Sequence, residues 1–451
     1  MLLALTAMLA ASAAPAQGGI PPAIVLVMTD DQGWGDIGLR DPTLSTPELD
    51  ALFREGIEFE RFYAAAPVCS PTRASVLTGR HPARMGIDGA NDGHLPRSET
   101  TIAEEMKELE YRTGFFGKWH LGTLTREVKD SNRGGREKHA AHYSPPWEHG
   151  FDVTFATEAK VPTFDPMRSP KTGEFYGTRY WTGPGEPVDP DGLKGDDSAI
   201  VVDRTLTFLE EARREDARAF AVVWLHAPHE PVVGSGSARE RYVACLGDVD
   251  RQVGRLKAAL REFRGDHDPP VLVFCSDNGP EHREGPGSTG GLRGRKRDLL
   301  EGGIRVPAAL WWAGDADATL YGALERGGAY RWPTTTSDLF HTVLGLTGGS
   351  DRRDGDDGFD LNSNLLFPEE WDGATYGFVH KRKRAFLSER WKIHSTDAGA
   401  TWALYDVPAD PGEATDLSGR EPERKAELVA EFEAWHAEVL RDREDAPEAS
   451  R

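Results

Sequence analysis

The sequence predicts an α/β fold: a large, mostly parallel sheet sandwiched by helices, with a small C-terminal antiparallel sheet plus a helix. Three observations carry this. Short, continuous apolar runs rich in β-branched residues recur along the chain, as strands buried on both faces require. Amphipathic stretches of helical length stand between them, and strands alternating with helices build parallel sheets. Beyond about Gly373 the apolar runs shorten and fall at hairpin spacing.

The first element is not part of the fold. Leu2 to Ala16 is nearly all apolar and closes on Ala14-Pro15-Ala16, the pattern of a secretory signal peptide over 1–16, although no Lys or Arg precedes Arg40. The expectation is export to the periplasm or beyond, with no integral membrane segment in the mature chain. Ala23 to Met28 reads as a buried strand. Thr46-Pro47 caps a helix to Gly56. Thr101 to Leu109 is a helix and Thr113 to Gly117 a strand. Helix Asp197–Arg214, strand Phe220–Leu225, helix Arg239–Phe263, strand Pro270–Cys275 and strand Val306–Trp312 follow. Residues 125–195 concentrate Gly, Pro and aromatic residues, a long irregular insertion of the kind that faces substrate. Residues 20–372 form the main α/β unit in this reading. Residues 373–445 form a subdomain with strands at Arg384–Ser388, Trp391–His394 and Trp402–Tyr405 and a helix from about Glu421 to Arg441.

Composition narrows the function. Of 451 residues, 53 are Lys or Arg and 74 Asp or Glu, a net charge of −21. Nucleic-acid binding needs a basic face and is excluded as a partner class. An anionic ligand would have to be drawn in by a local basic pocket. Three cysteines, Cys69, Cys245 and Cys275, are too few for a disulfide framework, and at least one is unpaired.

Two of the buried strands end in acidic or amide pairs, Asp30-Asp31 and Asp277-Asn278. In an open α/β sheet the carboxyl ends of strands share one crevice. Three carboxylates and an amide oxygen meeting there form an all-oxygen site, suited to Ca²⁺ or Mg²⁺ better than to Zn²⁺. The plainer reading is that each pair only starts a turn. Cys69-Ser70-Pro71-Thr72-Arg73, followed by Leu77-Thr78-Gly79-Arg80, sits in a polar turn before a helix, where the thiol would be exposed.

Cys-x-Pro-x-Arg followed by Leu-Thr-Gly-Arg resembles the signature of the type I, formylglycine-dependent sulfatases of the alkaline phosphatase superfamily. In that family the Cys is oxidised to Cα-formylglycine by a formylglycine-generating or other sulfatase-maturing enzyme. The resemblance runs through nearly the whole mature chain. It implies that Asp30, Asp31, Asp277 and Asn278, with the converted Cys69, surround a divalent cation, usually Ca²⁺ with Mg²⁺ possible. In Gly117-Lys118-Trp119-His120-Leu121-Gly122 it makes Lys118 a sulfate ligand and His120 a partner of the formylglycine hydrate. In Ala227-Pro228-His229-Glu230-Pro231 it makes His229 the acid that assists the leaving group. In Leu292 to Pro307 it makes Lys296 the second sulfate-binding lysine, and Arg73 orients the hydrate. His226 competes with His229 for the acid role; the proline-flanked context favours His229.

The implied chemistry is coherent. A hydrated aldehyde beside a cation offers one hydroxyl as nucleophile and a second to expel sulfate, which a serine could not do. The implied substrate is a sulfated carbohydrate or a small aryl or alkyl sulfate. Phosphodiester or phosphonate hydrolysis on the same fold is the alternative, and a non-catalytic sulfoglycan-binding protein the alternative of another class. Arg295 and Arg297 flank Lys296 where family members often carry small residues. The run Lys381-Arg382-Lys383-Arg384 reads first as a solvated turn before a strand, and otherwise as a cleft rim that receives a polyanion.

Overall fold

The computed structural model describes residues 21–263, 269–281, 285–314, 326–349, 353, 355–366 and 373–445. The signal-peptide reading therefore lies outside the described residues. No helix among those described is long and apolar enough to cross a membrane.

Strand Ala23–Thr29 is central because it can bury both faces. Ile24, Leu26 and Met28 enter one core cluster, and Ala23, Val25 and Val27 enter the one on the opposite face. It pairs in parallel with Val271–Ser276 on one side and Arg218–Trp224 on the other. Tyr111–Lys118 extends the parallel run beyond Arg218–Trp224, and Val153–Thr157 follows it. Ala308–Trp312 continues the other flank antiparallel to Val271–Ser276, and Ile57–Phe59 and Gly328–Tyr330 lie beyond it. Ten described strands share this sheet.

Helices Asp197–Arg214 and Ala238–Leu260 pack on one face. Each begins at a built cap: Asp196 accepts the N–H groups of Ser198 and Ala199, and Ser237 with Glu240 forms a capping box. On the other face lie helices Cys69–Thr78 and Ile102–Glu108, whose buried residues join the cluster that Ile24 and Leu26 enter. The 125–195 segment is more regular than its composition suggests. It gives Val153–Thr157 and Tyr180–Gly183 to the sheet, and Trp181 Nε1 donates to buried Asp130.

The C-terminal sheet is a four-strand antiparallel meander, Tyr376–His380, Lys383–Leu387, Trp391–Ser395 and Ala403–Asp406. One face meets Tyr63, Leu299 and Ile304 of the larger unit, and helix Pro422–Asp445 covers the other with Leu428 and Phe432. The first strand was not legible because Gly377 breaks its apolar run. A Cβ at Gly377 would lie 2.2 Å from the Trp435 ring, so the gap in the pattern is the seat of that indole.

Candidate active site

Four adjacent parallel strands deliver the candidate residues. Ala23–Thr29 ends at Asp30-Asp31, Val271–Ser276 at Asp277-Asn278, Tyr111–Lys118 runs on to His120, and Arg218–Trp224 leads to His226 and His229. The chain ends are tied together: Asp30 N–H donates to Ala227 O at 3.1 Å, and Asp277 N–H donates to Thr29 O at 3.1 Å. Asp31, His120 and Arg297 all adopt positive φ, 65°, 60° and 75°. Left-handed backbone at non-glycine residues is costly and gathers at functional sites. Gly117 lets Tyr111–Lys118 approach its neighbour, since a Cβ there would meet Trp224 O at 1.9 Å.

Cys69 is the first residue of helix Cys69–Thr78 and is only 2% exposed, not the exposed turn thiol that its polar neighbours suggest. Of its polar neighbours, Arg73 reaches the acidic cluster, while Thr72 Oγ1 donates to Ala66 O and Ser70 Oγ accepts from the N–H of Asn91. Its Sγ lies 3.4 Å from Asp30 Oδ1. Burial, with Asp277 and Asp30 alongside, pushes the thiol up to about 12. An unmodified Cys69 is a protonated, inert thiol at neutral pH.

Each carboxylate is met by at least one buried cation, and Asp30 also has Arg73 Nη2 at 3.5 Å. Lys118 Nζ donates to Asp30, Lys296 Nζ to both oxygens of Asp31 at 2.6 and 2.7 Å, and Arg73 Nη2 to Asp277 Oδ2 at 2.8 Å. Arg73 also donates to Lys118 O at 2.8 Å and lies over the Trp224 ring at 5.0 Å, fully buried. Burial alone would raise Asp30, but Lys118, His229 and Arg73 hold its carboxyl well below the usual range. Asp277 goes the other way, to about 7, pushed by burial and by Asp30 against the pull of Arg73.

The donor set fits a divalent cation. Ligand atoms of Asp30, Asp31, Cys69 and His229 all lie within 4.8 Å of one another. Asn278 Nδ2 donates to Asp31 Oδ1 at 2.7 Å, which leaves its Oδ1 buried without a hydrogen-bond partner. An orphaned amide oxygen beside three carboxylates suits a hard, oxygen-seeking ion.

The two neighbouring histidines are separated by their surroundings. His226 is fully buried, with Nδ1 2.8 Å from Asp197 Oδ2 and Nε2 2.7 Å from Thr157 Oγ1. His229 presents Nε2 3.5 Å from Asp31 Oδ2, and its Nδ1–H donates to Glu230 O at 2.6 Å. A carbonyl can only accept, so Nε2 is the nitrogen that exchanges a proton with the crevice. Burial pushes this imidazole down to about 4, against the pull of Asp31 and Asp30.

His120 has Nε2 3.2 Å from Asn91 Oδ1, an oxygen that also accepts from Asn132 Nδ2 at 3.1 Å. Its Nδ1 is buried without a partner. Burial, then Lys118 and Arg73, hold the ring well below the ordinary histidine range, so it is neutral with a free lone pair. Sequence reasoning missed Asn91. Its only signal is the turn-forming Ala90-Asn91-Asp92-Gly93, which says nothing of His120. Arg295 is spent on structure, donating to the carbonyls of Glu281, Gly285 and Gly287, whereas Arg297 pairs with Glu281 at the surface.

The family model described as Sulfatase matches residues 22–350. N-acetylgalactosamine-6-sulfatase of Sus scrofa is 33% identical over 88% of this chain and 76% of its own length. Arylsulfatase A of Homo sapiens is 29% identical over 93% of this chain and 86% of its own. A solved structure, Ps i-CgsB, shares the fold with a TM-score of 0.76 at 23% identity, covering 93% of each chain.

Proposed function

The chain belongs to the formylglycine-dependent type I sulfatase family, and on that premise we propose that it hydrolyses a sulfate ester of a sulfated carbohydrate or of a smaller aryl or alkyl sulfate. One observation carries the reading: Cys69 opens a helix directly against Asp30, with three buried cations paired to the three carboxylates around it. Names of relatives point the same way, toward sulfated sugars and sterols.

In this reading Cys69 is converted to Cα-formylglycine, and Asp30, Asp31, Asp277 and Asn278 hold Ca²⁺ or Mg²⁺. When both are in place they supply a metal-activated geminal diol, one hydroxyl to attack sulfur and one to release sulfate. Because Cys69 is buried, the maturing enzyme must reach it before the fold closes over it.

The chain's own side chains do the rest. Lys118 and Lys296 turn their ammonium groups to the sulfuryl oxygens, each well-placed donor contributing roughly 2.7–4 kcal/mol to the transition state. Arg73, locked by Asp277, Lys118 O and the Trp224 face, holds the nucleophile's surroundings rigid. His120 accepts a proton at its partnerless Nδ1 while Asn91 fixes the other nitrogen. His229 carries a proton at Nε2 to the departing oxygen, and the negative charge of an arriving sulfate favours that protonation.

Mass spectrometry of active protein tests the core of this. The peptide containing residue 69 should be about 18 Da lighter than its cysteine form, the difference between thiol and aldehyde. Inorganic sulfate should be released from a sulfated sugar, and C69S should fold without turning over. Full activity with only unmodified thiol at this position overturns the mechanism.

A further inference from the structure

The basic run Lys381–Arg384 is not absorbed by the chemistry above. It forms the turn between strands Tyr376–His380 and Lys383–Leu387. Lys381 and Arg382 are exposed there, and neither pairs with a carboxylate among the described residues. The turn stands over an open cleft of about 830 Å³, lined by Glu281, Arg297, His380, Lys381, Arg382 and Lys383.

This cleft is joined to the catalytic crevice by direct contacts. Arg297 follows Lys296 in the chain. Glu281 Oε2 lies 3.8 Å from Lys296 Nζ, and the same carboxylate pairs with Arg297. Lys383 Nζ donates to Arg297 O at 2.7 Å and to Asp298, clamping the turn onto the segment that carries Lys296. Four cations (Arg297, Lys381, Arg382, Lys383) face two carboxylates (Glu281, Asp298), a local surplus of 4 − 2 = +2 in a chain of net charge −21. Adjacent like charges in a concave, partly enclosed setting repel, and an anion relieves them.

We infer that this cleft is a subsite for a second anionic group, a sulfate or a carboxylate, on the same substrate that places its scissile sulfate at Lys118 and Lys296. The substrate is then a multiply charged glycan and not an isolated sulfate ester. The inference rests on the sulfatase reading and narrows it. His380 fits the role, because it ends strand Tyr376–His380 buried on the cleft wall with Nδ1 unpartnered.

Calorimetry on the full chain with its cation, carrying C69A so that nothing turns over, separates the possibilities. Three disaccharides serve as probes: monosulfated and otherwise neutral, disulfated, and monosulfated with a uronate. K381A/R382A in this background should weaken binding of the doubly charged probes about tenfold and leave the neutral monosulfated one within about twofold. The difference should shrink as salt is raised. The probe that loses affinity tells whether sulfate or carboxylate occupies the cleft. Equal loss on all three probes, or no advantage of the doubly charged ones in the parent, overturns the inference. Thermal unfolding of the variant checks that its fold is kept. Sulfate release by the wild type from the same three compounds and from nitrophenyl sulfate is read separately: release from none of the four overturns the sulfatase reading, while the binding arm still reports on the cleft.

Discussion

His229 and Lys296 contact the same carboxylate, Asp31, but make different demands on a substrate. An alkoxide leaving from a sugar is strongly basic and needs a proton as the S–O bond breaks, whereas a nitrophenolate barely needs one. H229A should therefore cut kcat/KM on a sulfated sugar by about 10²–10⁴ and far less on nitrophenyl sulfate. K296A removes charge stabilisation at the sulfuryl oxygens and should hurt both substrates about equally. A leaving-group series on both variants, with H226A alongside, measures this. A steep dependence confined to H226A would transfer the acid role to the histidine that Asp197 and Thr157 hold in the core. At this scale the candidate residues were legible through their motifs, since side chains at the ends of core strands must share a crevice. Their pairing was not. Nothing local tells that Lys296 reaches Asp31 across 265 positions or that Cys69 is buried, because both follow from how loops fold back over the sheet.

The larger sheet and the C-terminal meander are joined by a buried ionic triad. Lys392 of strand Trp391–Ser395 reaches Glu301 at 2.9 Å and Glu413 at 3.0 Å, all three without solvent exposure. Tyr63 Oη donates to Glu301 Oε2 at 2.9 Å, and Glu301 N–H donates to Glu413 Oε2 at 2.6 Å. Glu301 begins the short helix Glu301–Ile304, five residues after Lys296, so the tie also anchors the sulfate-binding segment. K392M fits the space but leaves two buried carboxylates facing each other. It should lower stability by about 3–5 kcal/mol, measured by urea unfolding, because the loss of one partner strands the other charges. Glu413, already pushed to about 7 by burial, would take up a proton first. Stability within about 1 kcal/mol of wild type would show that the triad is dispensable. The helices and central strands were readable from apolar runs and caps. The Lys392 tie was not, since a lone lysine in a short strand reads as a solvent-facing residue.

Across the whole molecule the pH dependence of stability is set by two opposed groups of buried side chains. Burial pushes His81 to about 4, His149 to about 3 and His394 to about 4. Between those values and the ordinary value of about 6.5, the unfolded chain binds protons that the folded chain refuses, so stability rises with pH. Burial also raises Asp36, Asp196 and Asp250 to about 6 and Glu158 and Glu413 to about 7. From about pH 4 to about pH 7 the folded chain then keeps protons that the unfolded chain has released, so these groups make stability fall with pH. The net charge of −21 adds no comparable slope, because ordinary carboxylates are ionised in both states over this window. The two slopes oppose each other, and the wild-type urea midpoint should change little between about pH 5.5 and about pH 7. Removing one histidine tips the balance. His394 is 8% exposed and its Nε2 has no partner, so H394Q deletes a titration without breaking a hydrogen bond at that nitrogen. Relative to wild type, H394Q should lose about 1 kcal/mol of stability on going from about pH 5.5 to about pH 7, whatever its effect at either pH alone. A parallel shift of the two stability curves, with no change in their slope, would mean that His394 does not titrate below the ordinary range.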